Sequence, residues 1–225
     1  MSVVTEPQAA GVVLASGAGT RVGANLNKVY LPLAGRRVVS WSLEAFASVP
    51  EVGVILLVTR PQDAELVESV RIPGLEVVHG GATRQESELR ALRHLAARIE
   101  RGEIDTVLLH DGARPLVSTK LIGEVLCTAR EHGGAMPGLA ADDIVTADGG
   151  RVTGTMVRAQ TPQGFRAAPL LSAYEQAARE GFDGTDTASV MERYSSLPVH
   201  WVPGEEQNFK VTYAHDLVVA EQMLR

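Results

Sequence analysis

The chain has 225 residues, 45% of them apolar, enough to bury a sizeable core, and we read residues 1–225 as one domain rather than two small ones. A formal net charge of -6 and a pI near 5.5 leave no basic footprint for nucleic acid or an anionic membrane. Cys127 is the only cysteine, which excludes an intrachain disulfide, and runs such as Val54 to Val58 fall far short of the roughly 20 residues of a spanning helix.

In chain order, short β-branched and Leu runs at 11–15, 53–58, 75–78, 106–110 and 198–202 alternate with helical spacing. Helices are expected over 38–48, 61–70, 84–101, 118–132, 167–180, 187–194 and 216–224. Leu89, Leu92, Leu95 and Ile99 recur at three- or four-residue steps, Ser118 suits an N-cap, and Gly133-Gly134 ends its run. The alternation predicts an α/β fold with a mainly parallel sheet covered on both faces. The exception is 138–160, where a turn at Asp148-Gly149-Gly150 between short Val/Thr/Ile segments reads as an inserted β-arm. Its edges need a partner, and a second subunit is the expected one. The amino terminus lacks a basic, then apolar, leader, so a soluble cytoplasmic protein is expected.

The stretch LASGAGTRVGANLNKVYL, residues 14–31, follows the first strand with three glycines and two cations. No glycine there is followed by Lys and then Ser or Thr, so a P-loop fails; Val22 occupies the third glycine position of a dinucleotide fingerprint, which argues against NAD. What survives is the common logic: small residues expose backbone N–H groups to an anion, Arg21 can fork across two phosphate oxygens, and Lys28 offers a compact charge. A glycine-rich turn with solvated cations stays open as the alternative.

Four further clusters share that ambiguity. Gly80 to Arg84, with Ser87, opens a helix whose amides could read a base edge; His110 to Pro115 ends a strand, where Asp111 could hold Mg²⁺ and Arg114 an anion. Gln160 to Gln163 and Gly184 to Asp186 offer loop hydroxyls, and Lys210 sits among apolar residues, costly for an ammonium unless an anion meets it. An ordinary turn, an Asp–Arg structural pair and a snorkelling Lys are the respective alternatives. Cys127 has no neighbouring His, and the six histidines lack metal spacing.

Taken in order, these clusters resemble the 2-C-methyl-D-erythritol 4-phosphate cytidylyltransferase family and its sister ribitol-5-phosphate cytidylyltransferases. Ala15 to Arg21 with Asn27-Lys28-Val29-Tyr30, Gly80 to Ser87, His110 to Pro115, Thr161-Pro162-Gln163 and Asn208 to Thr212 match five family motifs across residues 10–224. The resemblance implies a three-layer Rossmann-like nucleotidyltransferase fold and CMP transfer from CTP, with Mg²⁺, to a sugar-alcohol phosphate in a homodimer joined by the β-arm. It also assigns roles. Arg21, Lys28 and Lys210 would be catalytic; Ala15, Ser16, Gly17, Gly19, Thr20, Gly81, Ala82, Arg84, Ser87 and Asp111 would hold the nucleotide, Asp111 also the metal. Arg114, Asp143, Arg158, Thr161 and Thr185 would face the acceptor.

The departures cluster on the acceptor side; Asn27 for the family's Pro, Val29 for Gln, Gly112 for Ala and Gln207 for Asp are milder. Asp142-Asp143-Ile144-Val145 stands where the family carries D-T-[IVLM]-[KR], and the Arg about eight residues before its TPQ has no counterpart nearer than Arg158. A carboxylate beside a phosphate monoester is unfavourable unless a cation intervenes. Either Arg151 or Arg158 compensates, or the acceptor is ribitol 5-phosphate or another polyol phosphate. A non-catalytic nucleotide-binding homologue is the remaining alternative.

Overall fold

The computed structural model describes residues 7–17, 27–141, 144–148, 150, 152–154 and 156–225. Its strands in chain order are β1 (Gln8–Leu14), β2 (Pro32–Leu33), β3 (Arg36–Arg37), β4 (Val52–Thr59), β5 (Glu76–His79), β6 (Ile104–Asp111), β7 (Gly134–Ala140), β8 (Val157–Ala159), β9 (Gln163–Arg166) and β10 (His200–Pro203). The helices are α1 (Val38–Ala47), α2 (Ala64–Val67), α3 (Arg84–Glu100), α4 (Thr119–His132), α5 (Ala167–Glu180), α6 (Thr187–Tyr194) and α7 (Ala214–Met223).

The main sheet is eight-stranded, ordered β10-β7-β9-β6-β1-β4-β5 with β8 on β7. Pairings β1 with β4, β1 with β6, β4 with β5 and β7 with β10 are parallel, whereas β9 runs against β6 and β7. Because side chains alternate across a strand, the continuous apolar runs feed two cores at once. Val13, Leu57 and Leu108 meet Leu43 and Phe46 of α1 and Leu121 and Val125 of α4. Val12, Leu56 and Leu109 meet Leu92 of α3, Leu170 and Tyr174 of α5 and Met191 of α6. Helices thus cover both faces, as the alternation predicted.

Caps explain where the helices begin and end. Thr83 and Ser118 accept from the third residue of α3 and α4 respectively, and Gly133 closes α4 at φ 106, a conformation that favours glycine. Over 61–70 the expected helix is instead the short α2 between two 3₁₀ turns, because Pro61 opens a tight turn and only four residues keep α geometry.

Two strands in the body of the main sheet were not expected, β7 and β9. Their sequences, GAMPGLA and QGFR, lack the β-branched signal, and packing decides instead. A Cβ on Gly134 would stand 2.7 Å from the Phe165 ring, so a small residue there lets the ring fill the sheet. The base of the arm is an antiparallel ladder in which Gly138, Leu139 and Ala140 face Ala159, Arg158 and Val157. At the expected turn, Thr146 N donates to Gly150 O at 2.9 Å.

The sheet's register brings four strand ends together. Leu14 lies beside Val58 and Asp111, and Thr59 beside His79, so the loops after β1, β4, β5 and β6 emerge on one edge. That is where an open parallel sheet leaves a crevice.

Candidate active site

The loop after β1 and the turn after β5 are joined by hydroxyls. Ser16 Oγ donates to Ser87 Oγ at 2.9 Å; Ser87 Oγ also accepts from Gly81 N at 3.0 Å and donates to Thr83 O at 2.9 Å. Ser87 therefore closes the glycine turn from one turn inside α3, which accounts for its spacing from Gly80 and Gly81. Gly80 has no room for a side chain: a Cβ would stand 2.6 Å from Ser16 Cβ and 2.8 Å from Ser87 Oγ. Ala82 N donates to the exposed Glu86 carboxylate at 2.7 Å.

Lys28 opens a 3₁₀ turn, Lys28–Tyr30, capped by the Asn27 side chain. Asn27 Nδ2 donates to Ala15 O at 2.7 Å and to Asp63 Oδ2 at 3.0 Å, and Arg60 grips Asp63 at 2.7 and 2.9 Å. Tyr30 Oη meets Thr59 Oγ1 at 2.7 Å beneath the turn. These bonds fix Lys28, only 9% exposed, on the wall of a cleft of about 670 Å³ that also takes in Ser16, Gly17, Arg60, Gly80 to Arg84, Asp111 and Lys210. A lysine seated there puts a compact positive charge on the wall, suited to an anionic ligand.

Asp111, at the end of β6, is the electrostatic centre. Lys210 Nζ lies 2.8 Å from its Oδ2, Arg84 Nε 3.6 Å from Oδ1 and Arg114 Nε 3.7 Å from Oδ2. Burial alone would raise this carboxyl, but Lys210, Arg84 and Arg114 hold it well below the usual carboxylate range. Behind it, Thr161 Oγ1 accepts from Asp111 N at 3.0 Å and lies 3.1 Å from His110 Nδ1, while His110 Nε2 meets Arg114 O at 3.2 Å. A carbonyl can only accept, so Nε2 carries the proton and Nδ1 accepts from Thr161. Burial pushes the His110 pKa down to about 4, and the ring is neutral at pH 7.

Gly112, in the turn after Asp111, approaches β1 closely: a Cβ there would lie 2.9 Å from Leu14 O. Arg84 in turn reaches inward, its Nη1 2.7 Å from Oε1 of Glu88, a carboxylate 1% exposed. Burial opposes the Arg84 cation, yet Glu88 and Asp111 raise its pKa.

A second cavity of about 640 Å³ adjoins the first through Lys210 and is lined by Arg114, Arg158, Gln160, Glu206 and Phe209 among others. Arg114 Nη1 donates to Asn208 O at 2.7 Å, and Asn208 Nδ2 donates to Thr161 O at 2.9 Å. Gln160 binds Glu205 through both its amide atoms, at 2.8 and 3.1 Å. These side chains tie the segments around 160 and 208 into one wall.

The structure thus gathers Ser16, Gly17, Lys28, Gly81, Ala82, Arg84, Ser87, Asp111 and Lys210 on one cleft, with Arg114 and Arg158 on its neighbour. Ala15 is buried behind the cleft, Thr161 is 5% exposed behind Asp111, and Thr185 is exposed and lines neither cavity. Gly19, Thr20, Arg21, Asp143 and Arg151 lie outside the described residues. Sequence reasoning missed Asn27, Arg60 and Asp63 as supports of Lys28, and Glu88 as the partner of Arg84. The i,i+4 spacing of Arg84 and Glu88 was the available signal. Among the described residues, no three His, Cys, Asp or Glu side chains group as a metal site, and no helix is long and apolar enough to cross a membrane.

Residues 9–225 match the family described as IspD: 2-C-methyl-D-erythritol 4-phosphate cytidylyltransferase. A protein of that name from Cereibacter sphaeroides is 41% identical over 224 residues, covering 96% of each chain. A bifunctional enzyme IspD/IspF from Dinoroseobacter shibae is 39% identical over 99% of this chain, which spans 55% of that relative's length. Among solved structures, 2-C-methyl-D-erythritol 4-phosphate cytidylyltransferase from Thermus thermophilus is 32% identical with a TM-score of 0.73, covering 95% of this chain and 98% of that one. 4-Diphosphocytidyl-2C-methyl-D-erythritol synthase from Anaerococcus prevotii is 26% identical with a TM-score of 0.82, covering 97% and 96%.

Proposed function

The chain belongs to the 2-C-methyl-D-erythritol 4-phosphate cytidylyltransferase family, and we propose that it transfers CMP from CTP to 2-C-methyl-D-erythritol 4-phosphate with release of pyrophosphate. One observation carries the reading: the buried Lys28, the Gly80 to Arg84 turn and the Asp111–Lys210 pair face one cleft beyond four parallel strand ends.

An acceptor phosphate oxygen attacks the α-phosphorus in line, the bond to the bridging oxygen breaks, and pyrophosphate leaves with that electron pair. The acceptor is ionised at pH 7, so no general base is needed; repulsion between anions is the obstacle. Lys28 and Lys210, with Arg21 from the glycine loop, neutralise charge spread over the transition state. Ser16, Gly17, Gly19 and Thr20 cradle the triphosphate, and Ala15 anchors that loop. Gly81, Ala82, Arg84 and Ser87 border the base and sugar; cytosine takes the Ala82 amide by displacing the exposed Glu86 carboxylate.

Mg²⁺ fits this site only as an ion that arrives with the triphosphate. Asp111 offers one carboxylate, already 2.8 Å from an ammonium, whereas Mg²⁺ is ordinarily held by one or two carboxylates plus substrate phosphates and water. Bound so, it would supply further positive charge at the phosphates.

The acceptor lies in the second cavity, its phosphate toward Arg114, Lys210 and Arg158. Arg158, on β8, lines that cavity beside the other two cations, which supports it as the compensation for the missing family arginine. Thr161 supports Asp111 from behind; the family resemblance alone assigns Thr185 and Asp143 to the acceptor side. We also propose one domain, a cytoplasmic location, and a homodimer joined through the arm, where Ile144, Val145 and Met156 are 37%, 61% and 37% exposed. Pyrophosphate release with CTP and Mg²⁺, against methylerythritol 4-phosphate, ribitol 5-phosphate and other polyol phosphates, tests the reading. Turnover with methylerythritol phosphate is expected; turnover with another acceptor alone would overturn it.

A further inference from the structure

The cleft's own chemistry does not use Glu88, yet Glu88 is the most fully partnered buried carboxylate beside it. It lies on α3, is 1% exposed, and receives three groups from three different places. Tyr174 Oη on α5 donates to Oε2 at 2.7 Å, Thr187 Oγ1 on α6 donates to Oε1 at 3.0 Å, and Arg84 Nη1 lies 2.7 Å from Oε1. Every partner is a donor or a cation and so favours the carboxylate, against the burial that raises its pKa. Isolated buried charges are expensive, and Glu88 is kept in the core by two hydrogen bonds, from Tyr174 and Thr187, and by the charge of Arg84.

Arg84 is shared between two carboxylates. Its Nη1 is in contact with Glu88, while its Nε stands 3.6 Å from Asp111 Oδ1, beyond hydrogen-bond distance. With Glu88 neutral or absent, the guanidinium would lose the carboxylate it touches and would close the 3.6 Å gap to Asp111, the nearest ionic partner left to it, changing its place on the cleft wall. We propose that Glu88 is a positioning residue for the nucleotide: anchored by Tyr174 and Thr187, it holds Arg84 on the cleft wall and off Asp111. Helices α5 and α6 thereby take part in nucleotide binding although neither lines the cleft. The inference rests on the reading of that cleft as the CTP site and adds to it a specific route by which Arg84 is set.

A double-mutant cycle on the full chain separates positioning from mere folding. Glu88→Gln keeps the volume and removes the charge. It should weaken CTP binding, measured by calorimetry, about tenfold, a coupling of the size such cycles report for contacting residues. The KM for the acceptor should stay unchanged. Combined with Arg84→Ala, the same substitution should change CTP affinity by less than about twofold, because the residue through which it acts is gone. Tyr174→Phe, which loosens one anchor and leaves the ring in place, should follow the same pattern with a smaller loss of about two- to threefold and serves if Glu88→Gln does not fold. Equal losses in both backgrounds, or no loss in either, would overturn the proposal. Wild-type protein that binds no CTP would instead remove the reading of the cleft on which it stands.

Discussion

On the side we assign to the nucleotide, four parallel strand ends, a capped lysine turn and a chain of serine hydroxyls converge; on the side we assign to the acceptor, Arg114 comes from a turn, Arg158 from a short ladder and Lys210 from irregular chain before α7. The first set is fixed by backbone pairing and buried side chains; in the second, Arg114 is held by its bond to Asn208 O, whereas Arg158 and Lys210 are exposed. Lys210 belongs to both. The difference teaches that the nucleotide half has little freedom to change without loss of fold or chemistry, whereas the acceptor half can exchange one cation for another. The larger departures from the family pattern, at Asp143 and the missing arginine, fall on the acceptor side, and milder ones such as Asn27 and Val29 reach the other.

If the two halves are as distinct as this, substitutions should divide between them. Lys28→Ala should cost about 2.7 to 4 kcal/mol of barrier, the loss seen when one charge-stabilising donor is removed. Steady-state turnover would reveal it, and an unaltered kcat would place Lys28 outside the chemistry.

The support beneath the nucleotide half should be sensitive to acid. His110 is buried neutral, its pKa depressed from 6.5 to about 4. Between those values the unfolded chain binds a proton that the folded chain does not, so stability rises with pH across the window. The His110 contribution is complete above pH 6.5 and is lost as pH falls toward 4, about 3 kcal/mol in all. Asp111, depressed below its ordinary value, adds a loss only at lower pH. Urea unfolding of wild type and His110→Gln at several pH values checks this, since the variant should have the flatter dependence; equal slopes would refute it.

Asn27→Ala sharpens the contrast further. It strands the buried Ala15 carbonyl that Asn27 Nδ2 now satisfies and takes one donor from Asp63, which keeps Arg60, and should cost about 1 to 3 kcal/mol of stability. The KM for CTP should rise with it, while that for the acceptor stays put. A rise in the acceptor KM alone would reverse the assignment of the two cavities.

Much of the nucleotide half was legible because its residues lie close in sequence to the strand ends that position them. The apolar runs marked β1, β4, β5 and β6, and the polar residues just beyond each run fall on one edge once the strands are parallel. What could not be read were the contacts that need the third dimension. Strands β7 and β9 carry Gly, Ala, Pro and Gln where a strand signal was sought, and only the Phe165 ring over Gly134 makes sense of them. Thr161 read as a loop hydroxyl facing the acceptor, but burial turns it to Asp111 N and His110. Glu88 went unread because nothing in a helical wheel foretells Tyr174 and Thr187, 86 and 99 residues away.

The division between the halves meets its most direct test in the kinetics of Arg158→Ala with both substrates varied. Removing one cation from the acceptor cavity should raise the KM for methylerythritol phosphate about tenfold, roughly 1.4 kcal/mol of binding, and leave the KM for CTP as it was. An unchanged acceptor KM, or an equal rise for CTP, would contradict the account.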